Sequence, residues 1–234
     1  MKKLQLLIVA LAVLCLSAFK SDHVITIFMI GDSTMANKTL DAGNQERGWG
    51  HVLGGFFTED VRVDNHALNG RSSKSFIDEG HWKEVIDNVR PGDYVFIQFG
   101  HNDEKPKPDR HTDPGTTFDE NLRKFVRETR EKGGIPVLFN SIVRRNFGEN
   151  PNAVTADDFR KEKADEIVEG DTLVDTHGKY LDSPRNVARE MGVCFIDLNA
   201  ATKKLVESYG REGSKKLFMW IPEGVSPACP KGRQ

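Results

Sequence analysis

The sequence has little of several features that would fix a function class at once. Only three cysteines occur in 234 residues, Cys15, Cys194 and Cys229, and their wide spacing argues against a disulfide framework or a zinc site. Charge of one sign is also scarce, because 33 basic residues are balanced by 35 acidic ones for a net charge of −2, without a long block of either sign. We therefore expect no nucleic-acid partner and no attraction to an anionic membrane surface.

Long hydrophobic runs are rare too, and the stretch at residues 4–16 is too short for a membrane span of roughly 20 residues. It follows two lysines and precedes small and polar residues, which is the order of a secretory signal peptide. We predict a signal peptide over residues 1–20 and one domain over 21–234, secreted or periplasmic. Lipoprotein anchoring through Cys15 is less favoured, because bulky Leu14 precedes it.

Short apolar or β-branched runs alternate with amphipathic segments along the rest of the chain. The runs that we predict as strands are residues 24–30, 61–65, 94–99, 135–139 and 193–197. The segments that we predict as helices are residues 49–57, 82–90, 118–132, 184–191 and 200–209. This alternation predicts a parallel sheet with helices on both faces. Cys194, inside the last run, is expected to be a small core residue.

In such open sheets, ligands bind beyond the carboxyl ends of the strands, so the residues after each run are the candidates. Ser33 follows the first run in a turn that can expose a nucleophilic hydroxyl. Gly70 follows the second and offers an unobstructed backbone N–H, and Asn102 follows the third and offers a carboxamide. Each residue alone is also typical of an ordinary turn. Together, one alcohol and two uncharged donors at one crevice fit the stabilisation of a tetrahedral acyl-transfer intermediate.

These motifs resemble those of the SGNH (GDSL-type) hydrolases. Residues 31–34, Gly-Asp-Ser-Thr, are similar to the nucleophile motif of that family, residues 67–73 around Gly70 to its glycine motif, and residues 100–103, Gly-His-Asn-Asp, to its asparagine motif. The variants present here are closest to rhamnogalacturonan acetylesterases. The resemblance implies a three-layer α/β/α, flavodoxin-like fold with a parallel five-stranded sheet, and neither metal nor other cofactor. It implies Ser33 as nucleophile, and the Ser33 amide, the Gly70 amide and the Asn102 side chain as the oxyanion hole.

The base that activates the serine in this family comes from an Asp-x-x-His motif near the C-terminus. None of the seven histidines here follows the fifth predicted strand. His177, in Asp-Thr-His, precedes that strand and is a weak candidate, while His101 and His66 are expected to be structural. We therefore expect that the chain stops short of its acid–base loop and last helix. These 234 residues should then have little esterase activity, since loss of the base costs on the order of 10⁴ to 10⁶ in rate.

The function predicted is a secreted serine esterase that removes O-acetyl groups from plant polysaccharide of the rhamnogalacturonan or pectin type. Its partner would be an acetylated polysaccharide or oligosaccharide. The alternative is a non-catalytic carbohydrate-binding remnant that keeps the crevice without the base. A nucleotide- or flavin-binding domain is disfavoured, because the first loop lacks a glycine-rich phosphate cradle. Arg71 and residues 102–107 could line a groove for acidic sugars, although solvated loop charge explains them better.

Overall fold

The computed structural model of the chain describes residues 24–40, 44, 46–148 and 170–218. Its strands are β1 (Ile25–Gly31), β2 (Val61–Asn65), β3 (Tyr94–Gln98), β4 (Ile135–Phe139), β5 (Phe147–Gly148), β6 (Thr172–Leu173) and β7 (Cys194–Ile196). Five of them form a parallel sheet in the order β2-β1-β3-β4-β7, and β5 pairs with β6 in a separate two-stranded antiparallel sheet. This strand order is that of flavodoxin-like sheets, so the predicted fold class is confirmed. The expected signal peptide lies outside the described residues.

The helices are α1 (Trp49–Leu53), α2 (Ser73–Asp78), α3 (His81–Ile86), α4 (Thr117–Glu131), α5 (Asp182–Met191) and α6 (Leu198–Gly213). Short 3₁₀ turns continue α1, precede α5 and follow α6. Non-helical backbone at Gly210 kinks α6 near its end. No helix in the described part of the chain is both long enough and apolar enough to cross a bilayer.

Both faces of the sheet are covered, which explains why its central strands are hydrophobic at almost every position. On β1, Phe28 and Ile30 belong to the larger core, which α2, α3, α4 and α5 line on one face. Ile27 and Met29 belong to a second core on the other face, against α1. The alternation of side chains along one strand thus supplies two separate layers of packing. The switch between β1 and its two neighbours, β2 and β3, sets the crevice at the carboxyl edge.

The structure differs from the sequence predictions in three places. Helix α2 was not predicted, because its six residues carry no full apolar stripe; a capping box between Ser72 and Ser75 starts it instead. The two-stranded β5–β6 sheet was also not predicted, since each strand has only two residues. Cys194 is exposed rather than buried, because it begins β7, which among the described residues lies at the sheet edge and pairs with β4 alone.

The larger core depends on a group of aromatic rings around Phe125. This side chain is fully buried, and its ring centroid lies 4.9 Å from that of Trp82 and 5.6 Å from that of Phe99. Phe125→Ala should lower the free energy of unfolding by about 3–5 kcal/mol, because it leaves a cavity. Phe56→Ala, at a side chain that is 80% exposed, should change it by less than about 0.5 kcal/mol. Urea denaturation of the two variants measures both, and equal effects would contradict this core.

Candidate active site

The turn after β1 places Ser33 at the carboxyl edge of the sheet. Gly31 has no room for a side chain, because a Cβ there would lie 2.6 Å from the backbone oxygen of Gln98. Asp32 fixes the turn, since one of its carboxylate oxygens accepts hydrogen bonds from the Thr34 backbone N–H at 2.9 Å and from the Thr34 hydroxyl at 2.7 Å. The chain therefore reverses tightly at Ser33, as expected for a nucleophile that follows a strand.

The loop after β2 runs beside this turn. The Leu68 backbone N–H donates a hydrogen bond to the carbonyl oxygen of Gly31 at 3.0 Å. Two residues later, Gly70 adopts a φ of +77°, in the left-handed region that favours glycine. A Cβ at Gly70 would meet no atom within 4 Å, so the space beside its Cα is open.

The loop after β3 is joined to the loop after β2 through Asn102. This side chain is buried, and its Nδ2 donates a hydrogen bond to the carbonyl oxygen of Arg71 at 3.0 Å. Gly100 begins the loop with a φ of +138°, and a side chain there would collide with the hydroxyl of Ser141. The carboxamide of Asn102 therefore lies next to the residue that follows Gly70.

The structure thus connects the three loops that carry the predicted site residues. Within the described part of the chain, neither the Ser33 N–H nor the Gly70 N–H donates a hydrogen bond. Asn102 uses one of its two side-chain N–H groups on Arg71 and retains the other. Amides without partners beside a serine can stabilise the negative charge of a tetrahedral intermediate. The catalytic roles of Ser33, Gly70 and Asn102 stay a prediction.

A buried lysine, which sequence reasoning missed, connects two of these loops. The Lys38 ammonium donates a hydrogen bond to the carbonyl oxygen of Ser33 at 2.6 Å and another to Asn69 Oδ1 at 2.5 Å. It also lies 3.6 Å from a Glu46 carboxylate oxygen. Lysine is almost never fully buried unless it is paired, which explains this set of partners. The sequence offers no periodic signal for such a contact, because Lys38 lies in a loop.

Lys38→Met should destabilise the protein, because it removes these charge-assisted hydrogen bonds and leaves their acceptors without a donor. We expect the free energy of unfolding to fall by about 1–3 kcal/mol in urea denaturation. The matched control is Lys83→Met, which removes an exposed i,i+4 ion pair with Asp87 and should cost less than about 0.5 kcal/mol. An equal response of the two variants would contradict the buried role of Lys38.

Asp103 lies at the centre of a hydrogen-bond network behind the crevice. Its carboxylate accepts the backbone N–H of Ser73 at 3.0 Å, that of Gly100 at 3.1 Å and the hydroxyl of Thr112 at 2.9 Å. Burial raises the pKa of Asp103 to about 7, although the hydrogen bonds from Ser73 and Thr112 act in the opposite direction.

Burial also raises the pKa of Asp32, the residue before Ser33. The hydrogen bonds from Thr34 partly offset this increase in pKa.

The pKa shift of Asp103 predicts how stability depends on pH. Because the folded state raises the pKa of Asp103 from 3.8 to about 7, the protonated form stabilises the fold below pH ~4, and this contribution is lost as the pH rises through ~7. Asp103→Asn mimics the neutral acid at every pH. The unfolding free energy of the wild type minus that of the variant should therefore fall by a few kcal/mol, to order of magnitude, between pH ~4 and ~8. Denaturant titrations across this range measure it, and a difference that rises with pH would contradict the assignment.

His177, the weak candidate for the base, lies in a closed environment. Its side chain has no exposed surface. Its Nδ1 lies 3.1 Å from Glu104 Oε2, and its Nε2 lies 3.1 Å from the carbonyl oxygen of Ile142. Both ring nitrogens are therefore engaged, and neither is available to take a proton from Ser33 without breaking this arrangement.

The other polar candidates also have structural partners. His66 Nε2 lies 3.2 Å from an Asp64 carboxylate oxygen. The Arg71 guanidinium forms a partly exposed ion pair with Glu79 at 2.8 Å, which agrees with the interpretation of this charge as solvated loop. Within residues 102–107, however, Asp103 and Glu104 are buried, so the same interpretation is wrong for these two side chains. Among the described residues, no three His, Cys, Asp or Glu side chains are grouped as metal ligands would be.

Comparison with known proteins adds the following findings. Residues 29–213 match the GDSL-like Lipase/Acylhydrolase family. The chain is 39% identical over 208 residues to the rhamnogalacturonan acetylesterase RhgT of Bacillus subtilis (strain 168), covering 89% of this chain and 79% of the relative. It is 26% identical over 212 residues to a rhamnogalacturonan acetylesterase of Emericella nidulans, covering 89% and 81%. A crystal structure of the protein YxiM of Bacillus subtilis superposes with a TM-score of 0.66 at 25% identity, covering 83% of this chain and about half (49%) of that protein.

Proposed function

The chain belongs to the GDSL-like Lipase/Acylhydrolase family of carboxylic ester hydrolases, and on that premise we propose that it is a serine acetylesterase acting on rhamnogalacturonan-type pectin. The observation that carries the reaction class is the set of linked loops at the carboxyl edge of the sheet. The Leu68–Gly31 and Asn102–Arg71 hydrogen bonds tie the loops that carry a serine, an open amide and a carboxamide. The similarity to two rhamnogalacturonan acetylesterases supports the substrate.

In the proposed reaction, Ser33 Oγ attacks the carbonyl carbon of a sugar O-acetyl group while a base takes its proton. The carbonyl oxygen becomes an oxyanion that the Ser33 N–H, the Gly70 N–H and the Asn102 carboxamide stabilise. Collapse of the tetrahedral intermediate breaks the bond to the sugar oxygen, which takes the proton back from the base and leaves as a hydroxyl. Water then hydrolyses the acetyl-serine in a second step of the same form and releases acetate.

The proposed site of action is outside the cytoplasm, in the periplasm or medium. The support is the order of residues 1–20, two lysines, a hydrophobic stretch and then small and polar residues. An intact polymer such as pectin does not cross the cytoplasmic membrane, so action on the polymer itself requires export. Fractionation of expressing cells, with detection of the protein by its mature mass, tests this part, and retention of residues 1–20 in the cytoplasmic fraction would contradict it.

The experiment for the substrate measures acetate released from acetylated rhamnogalacturonan, from acetylated xylan and from 4-nitrophenyl acetate. Two forms of the protein are assayed: the 234-residue chain, and the same chain extended at its C-terminus by a segment carrying Asp-x-x-His. We refer to whichever form is more active as the assay form. We expect the assay form to release acetate fastest from rhamnogalacturonan.

The outcomes separate the parts of the proposal. A preference for acetylated xylan would overturn the substrate and leave the reaction class intact. Failure of both forms to hydrolyse any acetyl ester, together with saturable binding of rhamnogalacturonan oligosaccharides, would replace the esterase with the carbohydrate-binding alternative.

A further inference from the structure

A cluster of charged side chains lies buried beneath the loop that carries Asn102. Glu104 comes from that loop, Arg144 from the segment after β4, and His177 from the segment before α5. Their side chains are 2%, 9% and 0% exposed, respectively. The proposed reaction uses none of these three residues directly, and only His177 was considered as a candidate from the sequence.

The contacts of Arg144 reach both sides of Asn102 along the chain. Its guanidinium forms an ion pair with Glu104 and donates a hydrogen bond to the carbonyl oxygen of His101 at 3.4 Å. It also donates to the hydroxyl of Thr176 at 3.0 Å. The residues one before and two after Asn102 are therefore both attached to the same buried cation.

His177 contacts the same loop next to Arg144, whose guanidinium lies 3.3 Å from His177 Nδ1. Its ring lies perpendicular to that of His101 with centroids 4.5 Å apart, and its Nδ1 contacts Glu104 at 3.1 Å. Its Nε2 contacts the carbonyl oxygen of Ile142, in the segment that leads to Arg144. The cluster thus fixes both the backbone at His101 and the side chain of Glu104.

Stability alone gives little reason for this arrangement. Removal of an ion pair from water costs several kcal/mol per ion, and well-packed apolar residues of similar volume are often as stabilising. A buried, multiply bonded pair does restrict the loop to one conformation, because any displacement leaves a charge without its partner. An oxyanion donor needs such restriction, because its contribution depends on its position to a fraction of an ångström.

We propose that the buried ion pair between Arg144 and Glu104 positions the Asn102 carboxamide for oxyanion stabilisation. Arg144 and Glu104 are thus positioning residues that act through Asn102, and His177 holds Glu104 in place. The inference rests on the proposed function, because it requires Asn102 to contact the oxyanion. It predicts that the ion pair affects kcat more than KM or stability.

The test uses Glu104→Met combined with Arg144→Met, since neither charge is then left buried alone. In the assay form, with 4-nitrophenyl acetate, we expect the double variant to lower kcat about 10- to 100-fold with KM changed less than about 3-fold. The matched control is Arg123→Met with Glu190→Met, which removes a bidentate arginine–glutamate pair between α4 and α5. This control should leave kcat within about 2-fold of the wild type.

The decisive measurement repeats the double variant in an Asn102→Ala background. If the pair acts through Asn102, its removal should cause less than about 3-fold further loss of kcat there, because the group that it positions is already gone. A full 10- to 100-fold loss in both backgrounds would overturn the inference and indicate a general structural effect. So would a double variant that matches the control in kcat.

Two further measurements check that the variants fold and that Asn102 contributes to the oxyanion hole. Thermal unfolding and near-UV circular dichroism show whether the double variant folds. If it does not fold, Arg144→Lys combined with Glu104→Asp replaces it in the same set of measurements. This replacement keeps both charges but displaces them. That variant should lose kcat in the wild-type background only, and equal loss in both backgrounds again overturns the inference. If Asn102→Ala alone has no effect, the proposed oxyanion hole fails, and the inference fails with it.

Discussion

Ser33→Ala should abolish hydrolysis of acetyl esters by the assay form, with kcat lowered on the order of 10⁴- to 10⁶-fold. The alanine has no oxygen to attack the carbonyl carbon, so no acetyl-enzyme can form. What remains is the contribution of the oxyanion donors and of binding, through which water could react slowly. The turn itself should persist, because its bonds come from Asp32 and Thr34 and not from the Ser33 hydroxyl.

The control for this variant is Ser208→Ala, at an exposed serine of α6 whose hydroxyl donates to the carbonyl oxygen of Leu205. Release of 4-nitrophenol and of acetate should be unchanged in this control. KM for Ser33→Ala is not measurable when turnover is lost, so binding of rhamnogalacturonan oligosaccharide by calorimetry checks that the crevice is intact. Retention of more than a tenth of the activity in Ser33→Ala would exclude Ser33 as the nucleophile.

The parts of this fold that the sequence predicts are those with a local physical signal. Strands β1, β3 and β4 were predicted because parallel strands buried on both faces are almost continuously hydrophobic. Strands β2 and β7 were predicted from short β-branched or apolar runs. Helix α4 was found because Phe118, Leu122, Phe125 and Val126 recur at helical spacing, and all four are buried. The edge position of β7 was not visible in the same way, because an apolar run does not reveal how many neighbours its strand has. Cys194 was therefore assigned to the core when it is exposed.

The same distinction, between residues with a local signal in the sequence and residues without one, applies to the candidate site. Ser33, Gly70 and Asn102 were located because each follows a strand, and the rule for open sheets selects such positions without knowledge of contacts. Lys38 and Arg144 were missed, because at least one partner of each lies far along the chain. Lys38 binds Asn69, 31 residues away, and Arg144 binds the carbonyl oxygen of His101, 43 residues away. Only the packed structure brings these groups together, so no spacing rule anticipates them.

Asn102→Ala should lower kcat of the assay form by about 10²- to 10³-fold, the range measured when one oxyanion donor is removed. KM should change much less, because the donor interacts with the charged oxygen of the transition state more strongly than with the neutral carbonyl of the substrate. Asn102→Asp should be at least as damaging, since it keeps the shape and replaces the donor with a charge that repels the oxyanion. Asn88→Ala, at an exposed asparagine bonded to the Glu84 carbonyl, is the control and should leave kcat unchanged.

Asn102 could also affect activity by holding the neighbouring loop in place, and the two roles predict different kinetic results. The Asn102 side chain has one contact of its own with the neighbouring loop, the 3.0 Å hydrogen bond to the Arg71 carbonyl oxygen. If that bond were its whole role, Asn102→Ala would loosen the Gly70 loop, and kcat, KM and thermal stability would all change together. A selective fall in kcat, with stability lowered by no more than about 1–2 kcal/mol, requires the second N–H of the carboxamide to act on the reacting oxygen. The ratio of the change in kcat to the change in KM therefore distinguishes an oxyanion donor from a loop tether at the same residue.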